Sequence, residues 1–466
     1  MDILLTSPIN KTHYCVPSLG LGYLISALKK SGFHSVSLLD SVKENMDYDK
    51  FAEFLKENKP KILGIQCFSF DVPSVNRMLR AAKEVNPHLT TIVGGPHPTA
   101  VSGAVFNELD NLDFAIQGEG EISLSSLVKI ILSNSGNALK EIPGLVYKEG
   151  DRVIANNISP IQDLDSLDMP AWYLMDPRRY QDVVQGAFYK SFPVGPIVTS
   201  RGCPYECAFC ANRILMGRGV RFRSIEKVID EIEHLTKNYN VKEIHILDDN
   251  FTVDKKRVLR FCNLVKEKEI NVDFAFPNGV RIDSLDQEVL AALKEAGVYS
   301  ITVGIESGSQ RILDKMKKQL TLGLIRDKVY LIKRFGFVIN AFFIIGYPDE
   351  TREEILNTIE FAKSLPIDAG QFSSFLPLPG TEATKELLNS GKLKSINYSE
   401  LFYSKIPFTP EGITKDELKK LQRKAFLSFY LRAHILIRLV LRVKSLRHLA
   451  SILVRAGDYL FKRGKS

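Results

Sequence analysis

The chain has 466 residues, of which 45% are hydrophobic and 25% charged, a composition that excludes a disordered or fibrous protein and allows two or three full cores. No apolar run approaches the length of a bilayer span, and the opening "MDILLTSPIN" lacks the basic region and apolar core of a signal peptide, so a cytoplasmic location is expected. The formal charge of +8 is uneven: residues 421–466 hold eleven Lys or Arg against one acid, Asp458, whereas the preceding 51 basic and 53 acidic residues nearly cancel.

Over the first 145 residues, short apolar runs ("DILLTS", "SVSLLD", "ILGIQCFS", "TTIVGGP") alternate with helical patterns such as "GYLISALKKSG", "FAEFLKENK" and "VNRMLRAAKEV". That alternation predicts a doubly wound, flavodoxin-like parallel sheet with helices on both faces. Its ligand is expected beyond the carboxyl ends of the strands, at the loops "SPINKTHYCVPSLG", "CFSFDVPS", "GGPHPTA" and "QGEGE". A hairpin signal, "YKEGDRVIA", and the stretch "ISPIQDLDSLDMPAW" read as a join between domains over residues 146–190.

A second alternating series follows: "GPIVTSRG", "EIHILDDNFT", "VDFAFPNGVRID", "SITVGIESGS", "INAFFIIGYPDET" and "QFSSFLPLPGT". Each run is followed by helical sequence, which predicts a partial (β/α)6 TIM-type barrel over residues 191–385, with its chemistry on loops at the strands' carboxyl ends. Residues 386–466 read as a helical carboxyl-terminal region ending in a basic amphipathic tail.

The stretch "SRGCPYECAFCAN", at the end of the first barrel strand, spaces Cys203, Cys207 and Cys210 as C-x3-C-x2-C. A structural zinc site takes four ligands, often as two CxxC pairs; no second pair exists, because Cys15, Cys67 and Cys262 stand alone. A catalytic zinc can use three ligands. Thiolates this close on one loop more naturally clasp an iron–sulfur cluster, and three on a 4Fe-4S cube leave one iron open. Cys67, in an apolar strand, and Cys262, on a helix, are expected in the core, Cys15 on a ligand-facing loop, and one cluster per chain follows.

With the aromatic Phe209 before its last cysteine, the motif resembles that of the radical S-adenosylmethionine (SAM) superfamily, whose fold is a partial β/α barrel. The resemblance implies that SAM chelates the open iron through its amino and carboxylate groups. An electron from the reduced cluster then breaks a C–S bond to give a 5'-deoxyadenosyl radical. It also implies SAM contacts at Asp248, Asp249 and Asn250, in "LDDNF" where many members carry Gly-Gly-Glu, and at Glu306 and Ser307 in "GIESGS". Gly346, in "IIGYPDET", would pack beside the adenine. For the acids, buried pairing or a helix cap is the alternative.

Together the two halves are similar to radical SAM enzymes with an amino-terminal cobalamin-binding domain. That family includes methyltransferases acting on unreactive carbon or phosphorus and the anaerobic magnesium-protoporphyrin monomethyl ester cyclase. The resemblance spans roughly residues 1–385, on "VGGPHPTA", "QGEGE", "RGCPYECAFC", "DDNFT" and "GIESGS" in that order. It implies cobalamin contacts at Ser69, Ser74, Gly94, Gly95 and Gly118. The Asp-x-His-x-x-Gly motif that supplies a histidine to cobalt in methionine synthase is absent, and the context of His13 does not match it, so base-off, histidine-off cobalamin is expected.

The leading expectation is methyl transfer from methylcobalamin to an unactivated carbon after hydrogen abstraction. The alternative is radical oxidative cyclisation or rearrangement of a tetrapyrrole or lipid. A non-catalytic cobalamin sensor has no need of a cluster with an open iron. A small-molecule or lipid-like substrate and an external electron donor such as flavodoxin or ferredoxin are the expected partners; no RNA-binding domain is recognisable, so nucleic acid is not. In the tail, Arg438, Arg442 and Arg455 interrupt Leu, Ile and Val, which suits either peripheral contact with the inner membrane surface or a helix packed on the barrel.

Overall fold

The computed structural model describes residues 1–10, 16–133, 138–180, 189–402 and 404–441, with a few positions between 443 and 457. It divides into two compact units: Met1–Gln181 with Ala211–Gly217, and Asp182–Cys210 with Arg218–Ser466.

In the first unit, β1 (Ile3–Thr6), β2 (Val36–Leu39), β3 (Ile62–Gln66), β4 (Thr90–Gly94) and β5 (Phe114–Ile116) run parallel in the order β2-β1-β3-β4-β5. Both faces are covered, so β1 is buried at all four positions and β3 at four of five, which is why these strands read as unbroken apolar runs. The core gathers Ile3, Leu5, Ile62 and Ile92 from the strands with Ile25, Leu28 and Leu127 from helices. The strand order reverses between β1 and β3, which places the ligand crevice of such a sheet at their carboxyl ends.

The hairpin expected in the domain join lies instead within this sheet. Its strands, β6 (Leu145–Glu149) and β7 (Arg152–Ala155), extend the sheet antiparallel from β5, with Ala115 opposite Val146. The apolar, buried Leu145, Val146 and Tyr147 account for this, since they need a covered edge to pair with. The stretch that follows packs on the helix Leu19–Lys30: Ala171 N donates to Gly22 O (3.1 Å), Ser26 Oγ to Met169 O (2.7 Å), and Trp172 is buried. The unit therefore continues to Gln181 and does not end at residue 145.

In the second unit, β8 (Val194–Ile197) is followed by a short antiparallel ribbon of β9 (Ser200–Arg201) and β10 (Arg221–Phe222). Then come β11 (Glu243–Ile246), β12 (Asp273–Val280), β13 (Val298–Glu306), β14 (Val338–Ile345) and β15 (Ala369–Ser374). The six long strands pair in parallel in strict sequence order from β8 to β15, the order of an open, partial (β/α)6 barrel. The helix Lys415–Tyr430 buries Leu418, Leu421, Ala425 and Phe429, and packs on β15, where Phe429 meets Phe372 edge to face at 5.9 Å.

The predicted tail thus splits in two. Residues 421–430 belong to the packing of the barrel. The next helix, Ala433–Leu441, leaves Leu436, Ile437, Val440 and Leu441 exposed. No helix among the described residues is long and apolar enough to cross a membrane. Cys67 and Cys262 are buried as expected; Cys15 and His13 lie outside the described residues.

Candidate functional site

The three cysteines lie between β9 and β10, on a loop whose two ends are held together by that ribbon. Asp248, just past β11, anchors its start. Its buried carboxylate accepts from Thr199 N (2.6 Å), Thr199 Oγ1 (2.6 Å) and Ser200 Oγ (2.5 Å). Asp249 Oδ2 accepts from Gly202 N at 2.9 Å. Gly202 is required: it has φ +98°, and a Cβ there would overlap the Gly219 carbonyl oxygen across the loop. Further along, Ala208 N donates to Met316 O and Ala208 O accepts from Ala383 N, each at 3.0 Å. Phe209 packs on the apolar cluster that contains Ile312, Met316, Tyr347 and Phe375.

Cys203 and Cys207 are partly buried and Cys210 is exposed. Burial, reinforced by Cys207 and Asp249, pushes the Cys203 thiol up, so iron binding must displace its proton. Among the described residues no three His, Cys, Asp or Glu side chains converge as a single metal ion needs. Two cations lie beside the loop, each paired with a carboxylate, Arg281 with Asp283 and Lys318 with Glu306. The Arg281 guanidinium lies 3.7 Å over the Tyr205 ring, and Lys318 Nζ lies 6.0 Å from the centre of the Phe209 ring.

The carboxyl ends of the neighbouring strands carry unmatched polar atoms. Asn250 Nδ2 and Arg281 Nη1 are buried donors without a partner, a pairing that fits the carboxylate of a zwitterionic ligand. The two residues are linked by Arg281 N donating to Asn250 Oδ1 at 3.4 Å. Glu306 ends β13 at φ +70° and is paired with Lys318 at 2.8 Å, both nearly buried. Gly304 makes room for that pair, since a Cβ there would come within 2.9 Å of Lys318 Nζ. Ser307 shapes the turn, with its hydroxyl bonded to Thr358 Oγ1 (3.2 Å) and accepting from Ser309 N (3.1 Å). Gly346, at φ +72°, lies against Leu418, which a Cβ would approach to 2.6 Å.

Glu350 carries no signal in the sequence that sets it apart. Its buried carboxylate accepts from Gly346 N (2.6 Å) and Tyr347 N (3.0 Å), while Oε1 has no partner. Burial raises its pKa to about 8. The folded chain therefore holds a proton here that the unfolded chain releases above its ordinary carboxyl value of 4.5. Stability conferred by the protonated form falls as pH rises from about 4.5 to about 8. Glu350→Gln is expected to gain on the wild type across that window, by up to about 1.4 kcal/mol per pH unit, in urea unfolding measured from pH 5 to 8.

On the first unit, the sequence-predicted contacts line the carboxyl ends of β3, β4 and β5. Ser69 Oγ is bonded to His97 Nδ1 (3.1 Å), and His97 Nε2 to Glu108 Oε2 (2.6 Å). His97 is fully buried with both ring nitrogens engaged, so it is not placed to reach a cobalt ion. Ser74 donates to Ile9 O and accepts from Tyr48 Oη (3.2 Å), tying the loop after β1 to the helix Val72–Val85. A Cβ at Gly94 would lie in ordinary contact with the Ile116 carbonyl oxygen at 3.8 Å; Gly95, at φ +110°, lies close over the Cys67 carbonyl. Gly118 N donates to Thr99 Oγ1 at 2.9 Å. Beside them Phe68 and Phe70 stack at 5.6 Å, both well exposed. An edge of small residues flanked by exposed aromatic rings fits a large flat ligand such as a corrin.

The two folds, with three cysteines on one loop at the barrel's strand ends, define a two-unit α/β protein with a candidate cluster-binding loop. Residues 197–362 match the radical SAM superfamily and residues 7–128 the B12 binding domain. The chain is 34% identical, over 91% of its length and 89% of the relative's, to an uncharacterized methyltransferase of Pyrococcus horikoshii. It is 27% identical to the anaerobic magnesium-protoporphyrin IX monomethyl ester cyclase of Cereibacter sphaeroides, over 89% of this chain and 67% of that one. Its fold is similar to that of OxsB, a cobalamin-dependent SAM radical enzyme solved with aqua-cobalamin and SAM, at a TM-score of 0.74 and 18% identity over 98% of this chain and 71% of that one. The chain belongs to the radical SAM family that carries a B12-binding domain, and is an enzyme whose cofactors are a 4Fe-4S cluster, SAM and cobalamin.

Proposed function

We propose that the enzyme transfers a methyl group to an unactivated carbon of a small-molecule or lipid-like substrate. The observation that carries this reading is its likeness, along nearly the whole chain, to a protein named as a methyltransferase. When bound, the cofactors would supply the hard chemistry: the cluster and SAM a hydrogen-abstracting radical, and cobalamin the methyl group to be transferred.

The chain's own residues bind and orient. Cys203, Cys207 and Cys210 hold the cluster, and Asp248 and Asp249 fix the loop that presents them. Asn250 and Arg281 offer donors to the SAM carboxylate, and Glu306 an acceptor to its amino group. Ser69, Gly94, Gly95 and Gly118 line the cobalamin edge. The electron comes from an external flavodoxin- or ferredoxin-type donor.

The test is product analysis after anaerobic reconstitution with iron, sulfide and hydroxocobalamin, reduction and addition of SAM. Both S-adenosylhomocysteine and 5'-deoxyadenosine are expected. 5'-Deoxyadenosine alone would favour the cyclase reading, which the likeness to the magnesium-protoporphyrin cyclase also supports.

A lipid-like substrate accords with peripheral binding of the carboxyl terminus to an anionic membrane surface. Leu436 and Val440, and Ile437 and Leu441, are spaced four apart and exposed, giving an outward apolar stripe within a segment of strongly basic sequence. Truncation after Tyr430, which spares the helix packed on β15, is expected to reduce co-sedimentation with anionic vesicles at least tenfold. Unchanged co-sedimentation would overturn the membrane contact.

A further inference from the structure

Two buried cations stand beside the cysteine loop. Arg281 stacks on Tyr205, between Cys203 and Cys207, and is held by Asp283 through Nε–Oδ1 and Nη2–Oδ2 bonds of 3.0 Å each. Lys318 lies over Phe209, between Cys207 and Cys210, and is held by Glu306. The two cations thus stand on the aromatic residues that bracket Cys207. Burial works against the Lys318 charge, but the Glu306 carboxylate at 2.8 Å outweighs it.

A buried ion pair is seldom the most stable filling for such a space, because apolar side chains of similar volume avoid the desolvation cost. Here the pair lies against Gly304, where a Cβ would fall 2.4 Å from Glu306 Oε1 and 2.9 Å from Lys318 Nζ. What gains from fixed positive charge here is a group that becomes more negative during its work. A thiolate-held cluster taking up an electron is such a group, and its potential responds to nearby charge and solvent exposure.

We infer that Arg281 and Lys318 are positioning residues that set the reduction potential of the cluster on Cys203, Cys207 and Cys210, favouring its reduced form, while their aromatic stacks fix the loop around Cys207. The inference rests on the assignment of those cysteines as cluster ligands. The electron itself is supplied by the external flavodoxin- or ferredoxin-type donor, and neither cation is consumed or exchanges a proton.

The test is an EPR-monitored redox titration of the reconstituted holoprotein without SAM, so that any role of the same residues in holding SAM does not enter. Lys318→Met and Arg281→Gln each remove a buried positive charge and are expected to lower the midpoint. For Lys318→Met the expected change is about a tenfold fall in the reduced-to-oxidised ratio at fixed potential, ~59 mV for one electron. Glu306→Gln removes a negative charge and is expected to raise the midpoint. Opposite signs are the signature, because a loosened loop would move all three variants the same way. Shifts of one sign, or none, overturn the inference. Should Lys318→Met fail to retain iron, Glu306→Gln and Arg281→Gln still give the opposed pair. A wild-type chain that assembles no four-iron cluster would instead overturn the cysteine assignment itself.

Discussion

Replacing Cys203, Cys207 or Cys210 singly with Ala is expected to abolish SAM cleavage, with 5'-deoxyadenosine falling at least a thousandfold and bound iron lost. All three thiols lie within eight residues on one loop, and the remaining described cysteines, Cys67 and Cys262, are buried with thiols pushed up by burial, the latter to about 12. Neither can substitute as a thiolate ligand. Iron and sulfide assays on the reconstituted variants check the first half of the expectation, and product analysis the second. A variant that retained four irons and cleaved SAM would show that its cysteine is not a ligand.

The second large effect belongs to Asp248. Its carboxylate is the shared acceptor for three donors at the end of β8 and the start of β9, all buried. Asp248→Ala leaves the Thr199 amide, the Thr199 hydroxyl and the Ser200 hydroxyl without that acceptor, at about 1–3 kcal/mol for each buried group left unsatisfied. A loss of about 3–5 kcal/mol in urea unfolding is expected, with weakened cluster retention because the loop's first anchor is gone. Asp248→Asn keeps one acceptor oxygen and is expected to fall between the two. The contrasting variant is Asp349→Asn, on the exposed side of the loop after β14. Asp349 only pairs with Lys315 and Lys392, and the variant is expected to change stability by less than about 1 kcal/mol.

Much of this architecture was legible because parallel strands covered on both faces must be apolar throughout. Ile3–Thr6 and Ile62–Gln66 declare themselves for that reason. The cysteine motif was legible because its chemistry is local. The hairpin Leu145–Ala155 was legible as a hairpin but not as part of the first sheet, since a strand's sequence does not name its neighbour. The tail shows the same limit: "DELKKLQRKAFLSFY" and "AHILIRLVL" are both amphipathic, yet only the first finds an apolar surface on β15.

Polar residues were the hardest to read. Asp248 and Asp249 were expected at the ligand, and the structure instead gives their carboxylates to the backbone and hydroxyls of the cysteine loop. Arg281, Lys318 and Glu350 drew no attention in the sequence. A charged residue is ordinarily solvated, and only tertiary packing shows which ones are enclosed. Glu350 adjoins the exposed Asp349 in "YPDET", and nothing in that string distinguishes them.

The most direct test of the account is the EPR spectrum of the reduced, reconstituted wild-type protein before and after SAM. One four-iron signal per chain is expected, changing when SAM is added and followed by 5'-deoxyadenosine, with both responses absent in the Cys203, Cys207 and Cys210 triple Ala variant. An intact four-iron signal that SAM leaves unchanged, with no 5'-deoxyadenosine formed, would contradict an open iron awaiting SAM as its fourth ligand.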